Sequence, residues 1–156
     1  MSPRAACRLA TLGFTRVYDY TPGKVDWLAR GLPGEGIRAD EPTAGSLARD
    51  DVATSPLDAS TGDVRRAIAD SPYGYALILS AGGVVLGRVR KSAVDTLSDG
   101  DPIDAVLEPK PQTIRPHLTE AKLEERFEAY RFRTLVVTRP DGTLIGVVRR
   151  DDIATR

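Results

Sequence analysis

The sequence predicts a mixed α/β (α+β) chain made of two copies of one unit related by pseudo-two-fold symmetry, preceded by a short helix-strand-helix segment. Three observations predict it. Residues 75–90 overlay residues 134–149 without a gap at a constant offset of 59, and the same frame carried backwards pairs Thr54 with Thr113, Val64 with Leu123 and Ile68 with Phe127. Within each copy the apolar spacing changes from helical to nearly continuous Val, Leu and Ile, the pattern of strands covered on both faces. Both apolar runs are broken at the same place by turn residues, Ala81-Gly82-Gly83 and Arg139-Pro140-Asp141-Gly142, where Gly accepts the positive φ that closes a hairpin. Two such units bury their apolar faces against one another, so a cleft between them is the place to look for function.

The elements follow in order. Residues 1–36 form the first segment, ending in Gly31-Leu32-Pro33-Gly34-Glu35-Gly36, and residues 37–50 read as a polar linker. The first repeat covers 51–98 and the second 105–156, with Asp99-Gly100-Asp101-Pro102 between them. Each repeat reads as an extended lead-in, a helix, a hairpin and a closing helix. Ser60 and Asp63 have capping-box spacing ahead of Val64, Ala67 and Ile68, which share a helical face. In the second repeat Thr119 is placed to cap a helix whose Leu123, Phe127 and Tyr130 form one stripe, while Glu120, Glu124, Glu125 and Glu128 solvate the rest.

Composition narrows the function classes. The 156 residues suit one compact body, and 22 basic against 22 acidic residues leave no net charge to attract nucleic acid or an anionic membrane. A single Cys7 forms no internal disulfide, no apolar run reaches the roughly 18 residues of a membrane span, and no cleavable signal is evident, so a cytoplasmic location is expected. His117, the sole His, has no neighbouring carboxylate or Cys cluster, so no metal site is expected.

Residues 141–153, together with Val106-Leu107-Glu108-Pro109 and Thr113-Ile114, resemble the hairpin strand, closing helix and start of a CBS domain. The resemblance covers about two thirds of the chain in tandem, and it implies a Bateman module: a non-catalytic regulatory pair that holds AMP, ADP, ATP or another adenosyl ligand in its cleft and forms a homodimer. The family's nucleotide signature sets a hydroxyl residue three positions after a Gly and an Asp three positions further on. Here Gly146 is followed by Arg149 and Asp152, so the resemblance makes Asp152 the ribose acceptor; in the first repeat Gly87 leads to Arg90 and Ala93, without that acceptor. The remaining lining implied by the family is Thr113, Ile114, Thr134, Leu135 and Val136.

Arg90 and Arg149 hold the same frame position, and two guanidinium groups near a pseudo-two-fold axis need an acidic partner. A ligand phosphate suits Arg's planar fork; Asp151 or Asp152 would serve as well, filling the cleft with protein. Both remain open at this point.

The first segment has its own resemblance. Ser2-Pro3-Arg4-Ala5-Ala6, Gly13-Phe14, Val17-Tyr18-Asp19-Tyr20, Trp27 and Gly31-Leu32-Pro33 look like the C-terminal helix, strand and helix of a rhodanese-like sulfurtransferase domain. Cys7 falls inside the expected helix and does not match the catalytic position, which precedes it. The apolar Leu9, Leu12, Phe14, Val17, Trp27 and Leu28 are expected to pack on the repeats or on a second subunit. Three functions are thus carried forward: a ligand-sensing module with a separate effector protein as its output, a ligand-free interaction scaffold, and a sulfurtransferase-related protein lacking its catalytic loop.

Overall fold

The computed structural model describes residues 3–36 and 40–154. Met1, Ser2, the first three residues of the expected linker and residues 155–156 at the end of the second repeat lie outside the described residues. Helices α1 (Pro3–Thr11) and α2 (Gly23–Ala29) come first, then a short α3 (Ala44–Leu47). The first repeat follows as β1 (Ala53–Pro56), α4 (Thr61–Ala69), β2 (Tyr75–Leu79), β3 (Val85–Arg90) and α5 (Lys91–Val94). A 3-10 turn (Ile103–Val106) and β4 (Glu108–Pro109) lead to the second repeat: β5 (Thr113–Ile114), α6 (Glu120–Tyr130), β6 (Thr134–Thr138), β7 (Leu144–Arg149) and α7 (Arg150–Ala154).

The two repeats superpose in register as well as in order. β1 pairs parallel with β2, setting Thr54 against Leu77, and β5 pairs parallel with β6, setting Thr113 against Val136. The antiparallel hairpins shift register at equivalent places, between Ile78 and Leu79 and between Val137 and Thr138. The tips turn on Gly83 (φ 76°) and Gly142 (φ 88°), as the turn residues require, and then touch each other: Val84 bridges Thr143, Val85 N–H donates to the Gly142 carbonyl and Leu144 N–H to that of Gly83.

Each sheet buries one face under its own helices and the other against its partner sheet. In the first repeat Val64 and Ile68 of α4 pack with Ala76, Ile78 and Val89; in the second Leu123 and Phe127 of α6 pack with Ile114, Leu135, Val137 and Val148. Between the repeats lie Val52, Tyr75, Leu77, Val136 and Val147. Burial of each such large side chain stabilises the fold by roughly 1.5–3 kcal/mol, so the inter-repeat seam is part of the core. Tyr130 departs from the expected stripe: it is exposed at the C-terminal end of α6, where Arg131 turns left-handed (φ 51°), and stacks on Phe132 with ring centroids 5.6 Å apart.

The stretch read as a linker is structural from residue 42 onward. Ala44 is buried in the second repeat's core, its N–H donates to the Leu118 carbonyl at 2.7 Å, and Gly45 N–H donates to that of Pro116 at 2.8 Å. Arg49 and Val147 exchange both backbone hydrogen bonds at 2.9 Å. This arm replaces the side-chain cap expected of Thr119, whose hydroxyl makes no cap bond; the Glu120 N–H donates to the Pro42 carbonyl instead. Ser60 does cap α4, accepting from Asp63 N–H at 3.1 Å.

The N-terminal segment differs from expectation in two ways. Residues between α1 and α2 form no strand, because no neighbouring strand offers a ladder. Its apolar residues are not all covered either, Leu12, Phe14 and Tyr18 being 59%, 60% and 79% exposed. The segment is closed by its own polar contacts: Tyr20 Oη donates to Asp26 Oδ2 at 2.5 Å, Arg30 Nε to the same oxygen at 2.8 Å, and Trp27 Nε1 to the Pro33 carbonyl at 2.8 Å. No helix among the described residues is long and apolar enough to cross a membrane.

Candidate functional site

The ends of β2 and β3 and the start of α5 open onto a cavity of about 440 Å³ lined by Tyr73, Tyr75, Arg88, Arg90, Lys91 and Asp95 among others. An adjoining cavity of about 120 Å³ shares Tyr75 and Arg88 and reaches Glu108, Lys110, Phe132, Thr134 and Val136. Together they form a groove between the repeats on the first repeat's side. Glu108 spans the two arginines: one carboxylate oxygen accepts from Arg88 Nε and Nη2 at 3.0 and 2.6 Å, the other from Arg90 Nε at 2.6 Å. Arg88 also lies over the Tyr75 ring, 5.7 Å from its centroid. Burial by itself would raise the Glu108 carboxyl, but the hydrogen bonds from Arg90 and Arg88 outweigh it, and the carboxyl titrates below its ordinary 4.5.

The equivalent region of the second repeat has the opposite charges. At the frame position of Glu108 stands Arg49, and at that of Lys110 stands Asp51. Arg49 Nε pairs with Asp152 Oδ2 at 2.9 Å, and its Nη1 lies 3.8 Å from Asp51 Oδ2. Tyr73 Oη donates to Asp51 Oδ1 at 2.5 Å, and Arg149 lies 6.0 Å from the Tyr73 ring centroid and 3.8 Å from Asp151. Protein groups therefore occupy this half.

The residues singled out from the sequence separate accordingly. Arg90, Thr134 and Val136 line the first-repeat groove. Arg149 and Asp152 sit in the occupied half, Asp152 on Arg49. Ile114 and Leu135 belong to the second repeat's hydrophobic core, and Thr113 is exposed beside them on β5. Each arginine of the duplicated pair has the acidic neighbour that its charge requires, Glu108 for Arg90 and Asp151 for Arg149. Sequence reading missed Arg88, Glu108, Lys110 and Arg49 as site residues. Carrying the offset of 59 back through the supposed linker aligns Ala44 with Ile103, both buried, and Arg49 with Glu108, and exposes the charge inversion.

Cys7 is exposed in the middle of α1. Among the described residues no group of three His, Cys, Asp or Glu side chains is placed to hold a metal ion.

Residues 103–156 match the CBS domain family. No curated protein sequence matches the chain. Solved structures share the whole two-repeat fold: the CBS domains of a transcriptional regulator from Streptococcus pneumoniae are similar at 22% identity and TM-score 0.65, covering 73% of this chain and 98% of that one. CBSX2, from Arabidopsis thaliana, in complex with AMP is similar at 18% identity and TM-score 0.62, over 72% of this chain and 93% of that one. The cytosolic domain of the Mg2+ channel MgtE in complex with ATP is similar at 20% identity and TM-score 0.64, over 74% of this chain. The match spans only 50% of that channel domain. The fold is that of a tandem CBS pair.

Proposed function

We propose that the chain is a non-catalytic regulatory module that takes a phosphate-bearing small molecule in the groove between its two CBS repeats, with adenine nucleotides the first class to test. The observation that carries this reading is the 440 Å³ cavity whose lining brings together the three cations Arg88, Arg90 and Lys91. Arg presents a planar fork that matches phosphate oxygens bidentately. Structures of the same fold in complex with ATP and AMP support the choice of ligand class. Thr134, whose hydroxyl bonds that of Tyr75, and Val136 line the adjoining cavity into which the rest of the ligand would extend.

A thermal-shift series with adenosine, AMP, ADP, ATP, NAD and S-adenosylmethionine at constant ionic strength tests it, because a ligand that binds the folded state raises the melting temperature. ATP is expected to stabilise the protein more than adenosine does, and Arg90→Gln to shrink the difference. No shift with any phosphate-bearing compound contradicts the proposal.

A second reading places the ribose of a nucleotide on Asp152, as the family signature implies. It requires Arg49 to leave the carboxylate, and Asp152→Ala would then abolish the nucleotide shift. A third, the ligand-free scaffold, is favoured by Glu108 already meeting both arginines. There Arg90→Gln destabilises the ligand-free protein and phosphate has no effect.

A further inference from the structure

Glu108 occupies the position in which an exogenous anion would meet Arg88 and Arg90. Its two oxygens take both guanidinium groups, at 2.6–3.0 Å, leaving Lys91 and Lys110 as the cations of the two cavities without a share in that carboxylate. The backbone beneath it is weakly held. β4 has two residues, one of them Pro109 with no N–H to donate, and its ladder on β3 joins only Gly87 to Pro109 and Arg88 to Glu108. The next residue, Lys110, has φ 57°, a conformation that non-glycine residues seldom adopt and that Asp51 at the equivalent position does not share. Leu107 packs against the first repeat's core, so the anchor ends just before Glu108.

We propose that Glu108 is an internal competitor for the ligand, and that a phosphate-bearing molecule binding Arg88 and Arg90 expels its carboxylate and frees residues 108–112 of the connection between the repeats. This rests on the anion-binding reading above. A phosphate group carries more charge and more acceptor oxygens than one carboxylate, and in this groove it also gains Lys91. The freed stretch runs directly into β5, which pairs with β6 of the second repeat, so occupancy of a first-repeat groove alters the tether of the second repeat.

The test uses the full chain with ATP and inorganic pyrophosphate as probes at constant ionic strength. Calorimetry should show Glu108→Gln binding both probes on the order of tenfold more tightly than the parent, since a charged competitor is removed while its volume is kept. Hydrogen exchange of the parent should show the amides of Arg88 and Glu108, which face each other across the β3–β4 ladder, exchanging faster with ATP than without it, a readout that stands even if Glu108→Gln is poorly folded. If the parent binds ATP but Glu108→Gln binds no more tightly and those amides do not change, the competitor role is overturned and anion binding survives. If neither protein binds either probe, both are overturned.

Discussion

Tyr75 and Thr134 hold the same position in the two repeats and hydrogen-bond to each other, Oη to Oγ1, at 3.0 Å across 59 residues of chain. The pair therefore sits on the pseudo-two-fold axis, at the floor of the candidate groove. Tyr75 is 7% exposed, so its hydroxyl has little water to fall back on. Tyr75→Phe leaves the Thr134 hydroxyl without its partner and is expected to destabilise the protein by about 1 kcal/mol in urea denaturation, with the fold retained.

Both groove tyrosines give stability a dependence on alkaline pH. Burial raises the Tyr75 hydroxyl above its ordinary 10.0, against smaller opposing effects of Thr134 and Arg88. Burial, then the hydrogen bond to Asp51, raises Tyr73 well above the same value. Above pH about 10 the unfolded chain loses these protons while the folded chain keeps them, so their contribution is intact below about pH 10 and declines as pH rises beyond it. Denaturation midpoints followed upward from pH about 9 should fall, and Tyr73→Phe should flatten the decline.

Gly146 is held free of a side chain by the arm that precedes the first repeat. A Cβ there would lie inside the contact distance of the Arg49 carbonyl oxygen, a backbone atom fixed by its ladder to Val147. Gly146→Ala is expected to cost about 2–4 kcal/mol, measured by denaturant unfolding. The same geometry makes removal of residues 1–41 tolerable, whereas removal of 1–48 strips Ala44 and Leu47 from the second repeat's core and should lower the melting temperature sharply.

How much of this was legible in the sequence depended on the kind of interaction. The duplication, both hairpins and the α4 and α6 packing faces followed from periodicity and turn chemistry, which are local. The arm at 42–49 was not legible as structure, because its polar and Gly-Pro character looks like a linker until its backbone is seen against Pro116, Leu118 and Val147. The site was half legible. Arg90 and Asp152 stood out by their frame positions, but their partners Glu108 and Arg49 come from the stretches leading into the repeats, and long-range ion pairing leaves no mark on local patterning. The strand expected before α2 failed for a related reason, since a strand exists only where a partner meets it.

The exposed Leu12, Phe14 and Tyr18 belong to one short segment, and association of two copies through it would remove their side chains from water. Light scattering is expected to show a homodimer for the full chain and a shift toward monomer in Phe14→Ser. A monomeric parent at working concentration would contradict this, and an unaltered dimer in the variant would place the interface elsewhere.

Isothermal titration of the full chain with ATP, in the parent, Arg90→Gln and Asp152→Ala, separates the two halves of the cleft as the place where a phosphate-bearing ligand binds. Binding centred on the first repeat's groove predicts that Arg90→Gln weakens ATP by about tenfold or more, the loss of a charge-assisted phosphate contact, while Asp152→Ala changes it little. No binding to the parent, or binding that Asp152→Ala abolishes and Arg90→Gln leaves intact, would contradict it.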